Sequence, residues 1–204
     1  MHTEILNKQQ VELLPYLKKF QKTFHLVGGT AIALHIGHRR SIDFDLFTSS
    51  SLVKYRLKKM LEQIPFTSTL LYEDDDQLHV QLNSVKLTFF SFPFSVQHPV
   101  KVNSIITMPE LLSLAAMKAF ALGRRSKWKD YVDLYFIIKD HYTIPEISRE
   151  ANIIFSTQFS EKLFREQLAF HKDIDYSESV DFIEDEVPEN QIKEYLIEKA
   201  VEIE

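Results

Sequence analysis

The feature that most constrains the fold of this chain is a pair of adjacent glycines followed closely by two aspartates. Glycine is scarce, with four residues in 204, and two of the four are Gly28 and Gly29. The apolar run at 24–27 predicts a short strand that ends at this pair, and residues 30–37 predict a short helix closed by a glycine. Apolar and acidic residues then alternate at 42–47, which is typical of a strand with one buried face. The sequence therefore predicts a strand, a tight turn, a helix and a second strand.

This order of elements predicts a site for metal and phosphate. Asp43 and Asp45 share one face of the second predicted strand, opposite Ile42 and Phe44, and two carboxylates so close repel each other unless a cation joins them. Oxygen ligands of this kind suit Mg²⁺ or Mn²⁺, which bridges carboxylates and nucleotide phosphates. A Gly-Gly turn at a helix start brings backbone N–H groups close to a phosphate. The alternatives are an exposed strand face with alternating acids and a purely structural turn.

The composition excludes several classes of protein. The chain contains no cysteine, which excludes disulfides, thiolate zinc sites and cysteine nucleophiles. No apolar run approaches the roughly 20 residues that span a bilayer, and residues 1–20 lack the uninterrupted apolar core of a signal peptide. We therefore expect a cytoplasmic protein with no membrane partner.

The net charge of −5 conceals an uneven distribution of charge. Residues 173–204 carry twelve acidic and two basic side chains, so the part of the chain before them is net positive. Ten Lys and Arg residues lie in three acid-free segments, at 39–40, 54–59 and 124–129. If these segments converge, they form a cationic surface for phosphates or RNA; otherwise each is a solvated helix face or loop. The acidic segment could screen such a surface, bind a basic partner or keep the protein soluble.

The remaining patterns predict a small sheet followed by a helical part. Two Thr-x-Pro-Glu sequences, at 107–110 and 143–146, have the form of a capping box with proline in the first turn, and each predicts a helix start. We expect an α/β part at 1–104 and a helical part at 105–204 that includes the acidic segment 173–204. The predicted strands are 68–72, 78–82 and 85–92, and the predicted helices are 52–64, 107–122, 127–140, one after 143, 159–171 and 189–203.

Four segments of the chain resemble the sequence motifs of a known protein family, and they occur in the same order as in that family. The first is Leu26-Val-Gly-Gly-Thr-Ala-Ile-Ala-Leu-His-Ile-Gly-His-Arg-Arg-Ser-Ile-Asp-Phe-Asp-Leu-Phe-Thr48. The others are Val-Lys-Leu-Thr-Phe-Phe at 85–90 with Pro93, Ala-Ala-Met-Lys-Ala at 115–119, and Lys-Asp-Tyr-Val-Asp-Leu-Tyr at 129–135. Together they resemble the AbiEii/AbiGii toxin family of nucleotidyltransferases, members of the DNA polymerase β-like superfamily.

The resemblance implies an α+β fold with a polymerase β-like nucleotidyltransferase core, a small mixed sheet and a helical C-terminal part. It implies an Mg²⁺- or Mn²⁺-dependent toxin of a type IV-like toxin–antitoxin system that acts in phage defence and is paired with an antitoxin protein. The expected reaction moves a nucleotide from an NTP to an acceptor such as the 3′ end of a tRNA. The implied nucleotide-binding residues are Gly28, Gly29, Thr30, Arg40, Ser41 and Lys86; the implied metal ligands are Asp43 and Asp45; the implied catalytic residues are Asp43, Asp45, Lys118 and Asp133.

Two positions depart from the motifs of that family. Many members have a third carboxylate where this chain has Thr88, and many have an aspartate where it has Ser113. A hydroxyl cannot act as the missing base. Another acid could supply the charge, with Asp133 or the turn at 74–76 as candidates. Alternatively the chain is a catalytically impaired binding protein, or it transfers nucleotide to a protein acceptor.

Lys118 requires a partner because an unpaired charge among alanines on a helix face would be costly. Asp133 or a bound phosphate could supply one. Asp130 lies one turn from Asp133, and the structural interpretation of either aspartate is a pair with Arg125 or Lys129 or the cap of a turn.

Overall fold

The computed structural model describes residues 1–202 and divides the chain into two compact units. The first unit is Met1–Glu110 and the second begins at Leu111. The first combines a sheet with helices, and the described residues of the second are mainly helical. The arrangement is the mixed α+β class that the sequence predicts.

The first unit begins with short helical turns and then forms its sheet. Its 3-10 turns are Thr3–Ile5 and Leu14–Lys19, and its α-helices are α1 (Lys8–Leu13), α2 (Gly28–Ile36) and α3 (Lys54–Leu61). Its strands are β1 (His25–Val27), β2 (Phe44–Thr48), β3 (Ser68–Glu73), β4 (Gln77–Leu82), β5 (Val85–Ser91), β6 (Val100–Val102) and β7 (Ile106–Met108).

Five of these strands form one mixed sheet in the order β1-β2-β5-β4-β3. Strands β2 and β5 run parallel, and the other neighbours are antiparallel. Strands β6 and β7 pair separately as an antiparallel hairpin. The first unit includes both strands of this hairpin, whereas the division expected from the sequence falls in the turn between them.

The two faces of the sheet differ in polarity because successive side chains of a strand point to opposite faces. On one face, Phe89 is fully buried, and its ring lies 4.9 Å from that of Phe20 and 5.2 Å from that of Phe24. On the other face, the paired residues Asp45 and Thr88 place polar groups side by side. The apolar face anchors the sheet and leaves the polar face to carry chemistry.

The two Thr-x-Pro-Glu sequences adopt different structures. Thr143 caps a helix as predicted, because its hydroxyl accepts from the Glu146 N–H while the Glu146 carboxylate accepts from the Thr143 N–H. The prediction for Thr107 is wrong: this residue lies in β7, pairs with Lys101, and its hydroxyl hydrogen bonds His98 Nδ1 at 2.9 Å. Strand pairing overrides the local capping pattern at that position.

The second unit buries aromatic rings between its helices. The rings of Phe120 and Phe155 stack at 3.9 Å, and those of Tyr135 and Tyr195 meet edge to face at 5.2 Å. A groove of about 460 Å³ lies along its last two helices and contains none of the predicted site residues. Across residues 1–202, no helix combines the length and apolar character needed to span a membrane. The helices of this unit are α4 (Leu111–Leu122), α5 (Trp128–Asp140), α6 (Ile144–Phe155), α7 (Glu161–Ala169) and α8 (Glu189–Val201), with a 3-10 turn at Ser156–Gln158.

Candidate active site

Helix α2 follows β1 directly, and the backbone of its first residue, Gly28, lies against the carboxylate of Asp45. Gly28 has φ +73°, a conformation that favours glycine, and a Cβ placed on it would lie 2.2 Å from Asp45 Oδ2. No other residue type leaves room for that carboxylate. The glycine turn and the acidic strand, which the sequence predicts as separate features, therefore form one structural element.

Gly29 is constrained by different neighbours. A Cβ on Gly29 would lie 2.6 Å from Arg39 Nη2 and 3.2 Å from Ser41 Oγ. The Gly-Gly turn is thus in close contact with a guanidinium and a hydroxyl as well as with a carboxylate. Such a set of groups can recognise a phosphate and the cation that accompanies it.

Thr30 ties the first turn of α2 to the segment that leads into β2. It is almost fully buried, and its hydroxyl contacts both the Asp43 carbonyl and Ser41 Oγ, the latter at 2.9 Å. A carbonyl can only accept, so the Thr30 proton goes to Asp43 and the Ser41 hydroxyl donates to Thr30. The Thr30 side chain therefore positions the backbone before Asp45, and its own hydroxyl is occupied within the protein.

The two aspartates of the acidic strand have different settings. Strand β2 begins at Phe44, so Asp45 lies within the strand and Asp43 just before it. Both side chains are half-buried, while Phe44 and Leu46 are fully buried. The predicted inward orientation of Ile42 is wrong, since this side chain is 55% exposed in the irregular segment before β2. Within residues 1–202, no side chain or backbone group hydrogen bonds or pairs with the Asp45 carboxylate.

Arg39 is the residue of this site that sequence reasoning missed. Arg40, the implied nucleotide ligand, is exposed, and its Nη1 donates to the Glu4 carbonyl at 3.1 Å. Arg39 is only 2% exposed, and its guanidinium lies against Gly29 while Nη1 donates to the Arg40 carbonyl at 2.9 Å. Arg39 and Arg40 are adjacent residues of the same type, and the sequence carried no signal to say which of them is buried.

The strand register continues the polar row across the sheet. Asp45 pairs with Thr88 on β5, and Thr88 pairs with His79 on β4. Lys86 shares the face of Thr88, two residues earlier on β5, and is half-buried. Burial and the Lys86 charge lower the pKa of His79, against the opposing effect of the Asp45 and Asp74 charges. Asp45, Lys86 and His79 therefore belong to one electrostatic environment.

The second unit contains a compact network of buried charges. Lys118 Nζ on α4 lies 2.6 Å from Asp130 Oδ1 and 3.0 Å from Asp133 Oδ2 on α5. Arg125 Nε lies 2.9 Å from Asp130 Oδ2. The expected pairing of Lys118 with Asp133 is present, and Asp130, which pairs with Arg125, is a second and closer partner of Lys118. Two cations thus balance two carboxylates at the junction of α4 and α5.

Ser113 lies beside a carboxylate from another helix. Its hydroxyl donates to Glu150 Oε1 at 2.6 Å, so α6 supplies an acid next to the position where many family members carry an aspartate. Glu150 was not among the acids that the sequence suggested for this purpose.

Two of the three basic segments, 54–59 and 124–129, are partly neutralised by acids of the same unit. Lys58 on α3 pairs with Glu73 at 2.6 Å, and Lys127 and Lys129 both pair with Glu178 of the acidic segment. These two lysines hold the pKa of Glu178 well below its usual range, at about 2. The acidic segment therefore screens the basic segment at 124–129, as one of the sequence interpretations proposed.

Of the ten site residues that the resemblance implies, six lie close together in the first unit and two lie close together in the second. Each of the two groups is locally connected by the contacts described above, while Lys86 shares the sheet face of Asp45 and Arg40 lies at the surface of the same unit. Among residues 1–202, no three His, Cys, Asp or Glu side chains converge as a complete metal site. The group in the first unit consists of Gly28, Gly29, Thr30, Ser41, Asp43 and Asp45, and the group in the second unit consists of Lys118 and Asp133.

Comparisons with known proteins identify the family of the chain. The family model described as nucleotidyl transferase AbiEii toxin, type IV TA system, matches residues 15–200. An uncharacterised protein of Aquifex aeolicus strain VF5 is 31% identical over 142 residues, which is 67% of this chain and 68% of that protein.

Solved structures show the same fold at low identity. MenT4, a nucleotidyltransferase toxin of Mycobacterium tuberculosis H37Rv, superimposes with a TM-score of 0.63 at 14% identity and covers 95% of this chain and 82% of its own. A putative nucleotidyltransferase of H. pylori gives a TM-score of 0.59 at 15% identity, with 94% and 91% covered. The matched family model spans nearly the whole length, and the chain belongs to the AbiEii family of nucleotidyltransferase toxins of type IV toxin–antitoxin systems.

Proposed function

We propose that this nucleotidyltransferase uses Mg²⁺ or Mn²⁺ to transfer a nucleotide from an NTP to the 3′ end of an RNA of the tRNA class. A cognate antitoxin protein restrains it in the cytoplasm, and the pair serves in phage defence. The observation that best supports this function is the contact between Gly28 and the Asp45 carboxylate. It joins a phosphate-binding backbone to a cation-binding side chain.

The start of α2 supplies the groups for the triphosphate. Its N-cap is Val27, which offers no side-chain cap, so the first N–H groups of the helix can donate to an anion. Gly28 and Gly29 let the phosphate approach this backbone, and Thr30 contributes through its N–H. Ser41, Arg40 and Lys86 extend the phosphate and nucleotide contacts, and the buried Arg39 guanidinium adds a fixed positive charge beside Gly29.

Asp43 and Asp45 would hold the divalent cation. Mg²⁺ is usually bound by one or two carboxylates together with substrate phosphates and water, so a two-carboxylate set fits this ion better than a full protein cage would. The half-buried Asp45 carboxylate, which is open to a cation, meets that requirement. When bound, the cation neutralises charge on the phosphates as an acceptor oxygen attacks in line.

We assign to Lys118 and Asp133 a contact with the nucleotide or the acceptor, held in place by Asp130 and Arg125. A buried lysine between two carboxylates keeps one geometry, which is what a positioning element needs. The basic side chains at 54–59 and 124–129 favour an RNA acceptor over a neutral one, because Lys and Arg neutralise backbone phosphates.

Transfer of label from each of the four α-labelled NTPs to total cellular RNA tests this function. Wild type is compared with Asp45→Asn and with Glu62→Gln, a matched amide substitution at an exposed residue of the same unit. We expect label on RNA with wild type and Glu62→Gln, and none with Asp45→Asn. The nucleotide that moves identifies the NTP.

The alternative functions give distinct outcomes of the same assay. Label on protein instead of RNA would replace the RNA acceptor by a protein acceptor. Nucleotide binding without any transfer would make the chain a binding protein on this fold, with Thr88 in place of a carboxylate as the physical reason. Transfer that survives Asp45→Asn unchanged would contradict the proposed metal site.

A further inference from the structure

His79 lies two strands away from Asp45 on the polar face of the sheet. The register pairs Asp45 with Thr88, and Thr88 with His79, so the three side chains are consecutive members of one row. Adjacent members of such a row have Cβ atoms about 4.5–5.5 Å apart. Thr88 separates the imidazole from the carboxylate, and the three groups face the same space.

This row lacks a carboxylate that could take up a proton beside Asp45. Transfer requires the acceptor hydroxyl to lose its proton, and a group within hydrogen-bond reach must receive it. Thr88 is buried and its hydroxyl is not a base at neutral pH. The next side chain in the row, His79, is a base in that range.

The environment of His79 fixes which nitrogen can accept. Nε2 lies 2.9 Å from Gln77 Oε1, an acceptor, so Nε2–H donates and the lone pair remains on Nδ1. The Tyr72 ring packs at 5.3 Å and limits rotation of the imidazole. The side chain is half-buried, which leaves a path for a substrate hydroxyl.

Four ionisable groups on the surrounding elements lie around His79, and three of them, together with burial, set its charge. Lys86 on β5 and burial lower its pKa, whereas Asp45 on β2 and Asp74 in the turn before β4 raise it, and the lowering effects dominate. The fourth group, Tyr72 on β3, is neutral at pH 7 like any phenol, and its hydrogen bond to the Asp74 carboxylate raises its pKa further. The imidazole is therefore neutral and able to accept a proton at neutral pH.

We propose that His79 is the general base of the transfer reaction, in the place of the carboxylate that Thr88 does not provide. His79 Nδ1 takes the proton of the acceptor hydroxyl as that oxygen forms a bond to the α-phosphorus of the NTP. The bond from this phosphorus to the bridging oxygen breaks, pyrophosphate leaves, and the imidazolium later returns its proton to solvent. The inference rests on the proposed function, since it needs a hydroxyl acceptor.

The test compares His79→Ala with Gln81→Ala, a control two residues along the same face of β4 and exposed to solvent. General base catalysis contributes about 100- to 10,000-fold, so we expect His79→Ala to lower the transfer rate at least about 100-fold and Gln81→Ala to leave it within about twofold. Binding of Mg²⁺–NTP, measured by calorimetry with a non-hydrolysable analogue, should stay the same in both variants. His79→Gln, which keeps a polar side chain, guards against a folding defect in the alanine variant.

The decisive variant is Thr88→Asp in the His79→Ala background. A carboxylate at position 88 lies beside Asp45 and can take over the proton, so we expect at least tenfold recovery of the rate. The acid limb of the pH–rate profile should move toward the lower pH range of a carboxylate. A purely structural role of His79 would produce neither effect.

The possible outcomes distinguish this inference from the proposed function on which it rests. No transfer by wild type overturns the proposed function and this inference with it. Transfer by wild type that His79→Ala leaves unchanged overturns the inference alone. Loss of nucleotide binding in His79→Ala, or failure of Thr88→Asp to restore any activity, would make His79 a binding or structural residue and overturn its assignment as base.

Discussion

Each unit of the molecule holds two aspartates close in sequence, and the setting of Asp45 in the first unit is opposite to that of both aspartates in the second. In the first unit, Asp43 and Asp45 are half-buried, and within residues 1–202 the Asp45 carboxylate is free of hydrogen bonds and ion pairs. In the second, Asp130 and Asp133 are 2% and 0% exposed, and both contact Lys118. Asp45 is therefore an open carboxylate, whereas Asp130 and Asp133 belong to a closed network.

The difference shows how burial and partners decide what a carboxylate can do. A carboxylate without an internal partner leaves its charge to be balanced by a ligand, which makes it a candidate for metal binding. A carboxylate that a buried lysine neutralises contributes to the geometry of the fold, and removal of its partner leaves an uncompensated charge. Substitutions in the first unit should therefore change activity more than stability, and those in the second should change stability first.

The largest expected effect is on activity, from Asp45→Asn. Since this carboxylate is the open one, the variant should lose about 1,000-fold in transfer rate, equivalent to about 4 kcal/mol of transition-state stabilisation. Its free energy of unfolding in urea should stay within about 0.5 kcal/mol of wild type. The transfer rate and the free energy of unfolding, measured on the same preparation, check both expectations. A large loss of stability would contradict the view that Asp45 serves activity and not the fold.

The next effect is on stability, from Lys118→Met. The substitution keeps most of the length of the side chain and leaves two buried carboxylates without their shared cation, which should cost about 3 kcal/mol of unfolding free energy. Lys162→Met is the matched control because the Lys162 side chain is 85% exposed. Equal urea midpoints for the two variants would show that the network is not a stabilising element.

Gly28→Ala tests the glycine whose backbone lies against the open Asp45 carboxylate. An alanine at φ +73° is strained by about 1–2 kcal/mol, and its Cβ displaces the Asp45 carboxylate. We expect that loss of stability together with at least tenfold weaker binding of an Mg²⁺–NTP analogue, measured by calorimetry. Gly123→Ala is the control, since the nearest atom to its added Cβ is 3.8 Å away. Normal binding in Gly28→Ala would mean that the turn does not place Asp45 for its ligand.

The contrast between the two units could be predicted from the sequence only in part. The Gly-Gly turn, the alternation around Asp45 and the polar and apolar faces of the sheet follow from local periodicity, and the structure contains all three. The charge of Lys118 among alanines correctly demanded a partner. The choice of Asp130 as its closest partner could not be predicted, because it depends on the packing of α4 against α5.

Other features depend on contacts that no local pattern encodes. Thr107 and Thr143 share one sequence pattern, and only the hairpin partner of Thr107 decides that it forms a strand. Arg39 and Arg40 are chemically identical, and the space beside Gly29 determines which of them is buried. His79 acquires its place beside Thr88 and Asp45 through strand register, which links residues far apart in the chain.

The smallest expected effect concerns Glu178. This acid has ion-pair partners, unlike Asp45, but is partly exposed, unlike Asp130 and Asp133. It pairs with Lys127 and Lys129, its side chain is 41% exposed, and its pKa in the folded protein is lowered to about 2. A carboxyl whose folded pKa is lowered stabilises the fold above its ordinary pKa and loses that effect as the pH falls toward the lower value. The contribution should therefore be complete at pH 6 and fade between about pH 4.5 and 2.

Solvent screening keeps this contribution small, so Glu178→Gln should cost about 0.5–1 kcal/mol of unfolding free energy at pH 6. The difference from wild type should shrink as the pH approaches 2 and also at high salt, because both conditions remove the charge interaction. Glu184→Gln in the same acidic segment is the control and should be neutral throughout. A loss of unfolding free energy as large as that of Lys118→Met would mean that Glu178 stabilises the fold as strongly as the buried network does. No loss at any pH would show that the acidic segment lies over Lys127 and Lys129 without stabilising the fold.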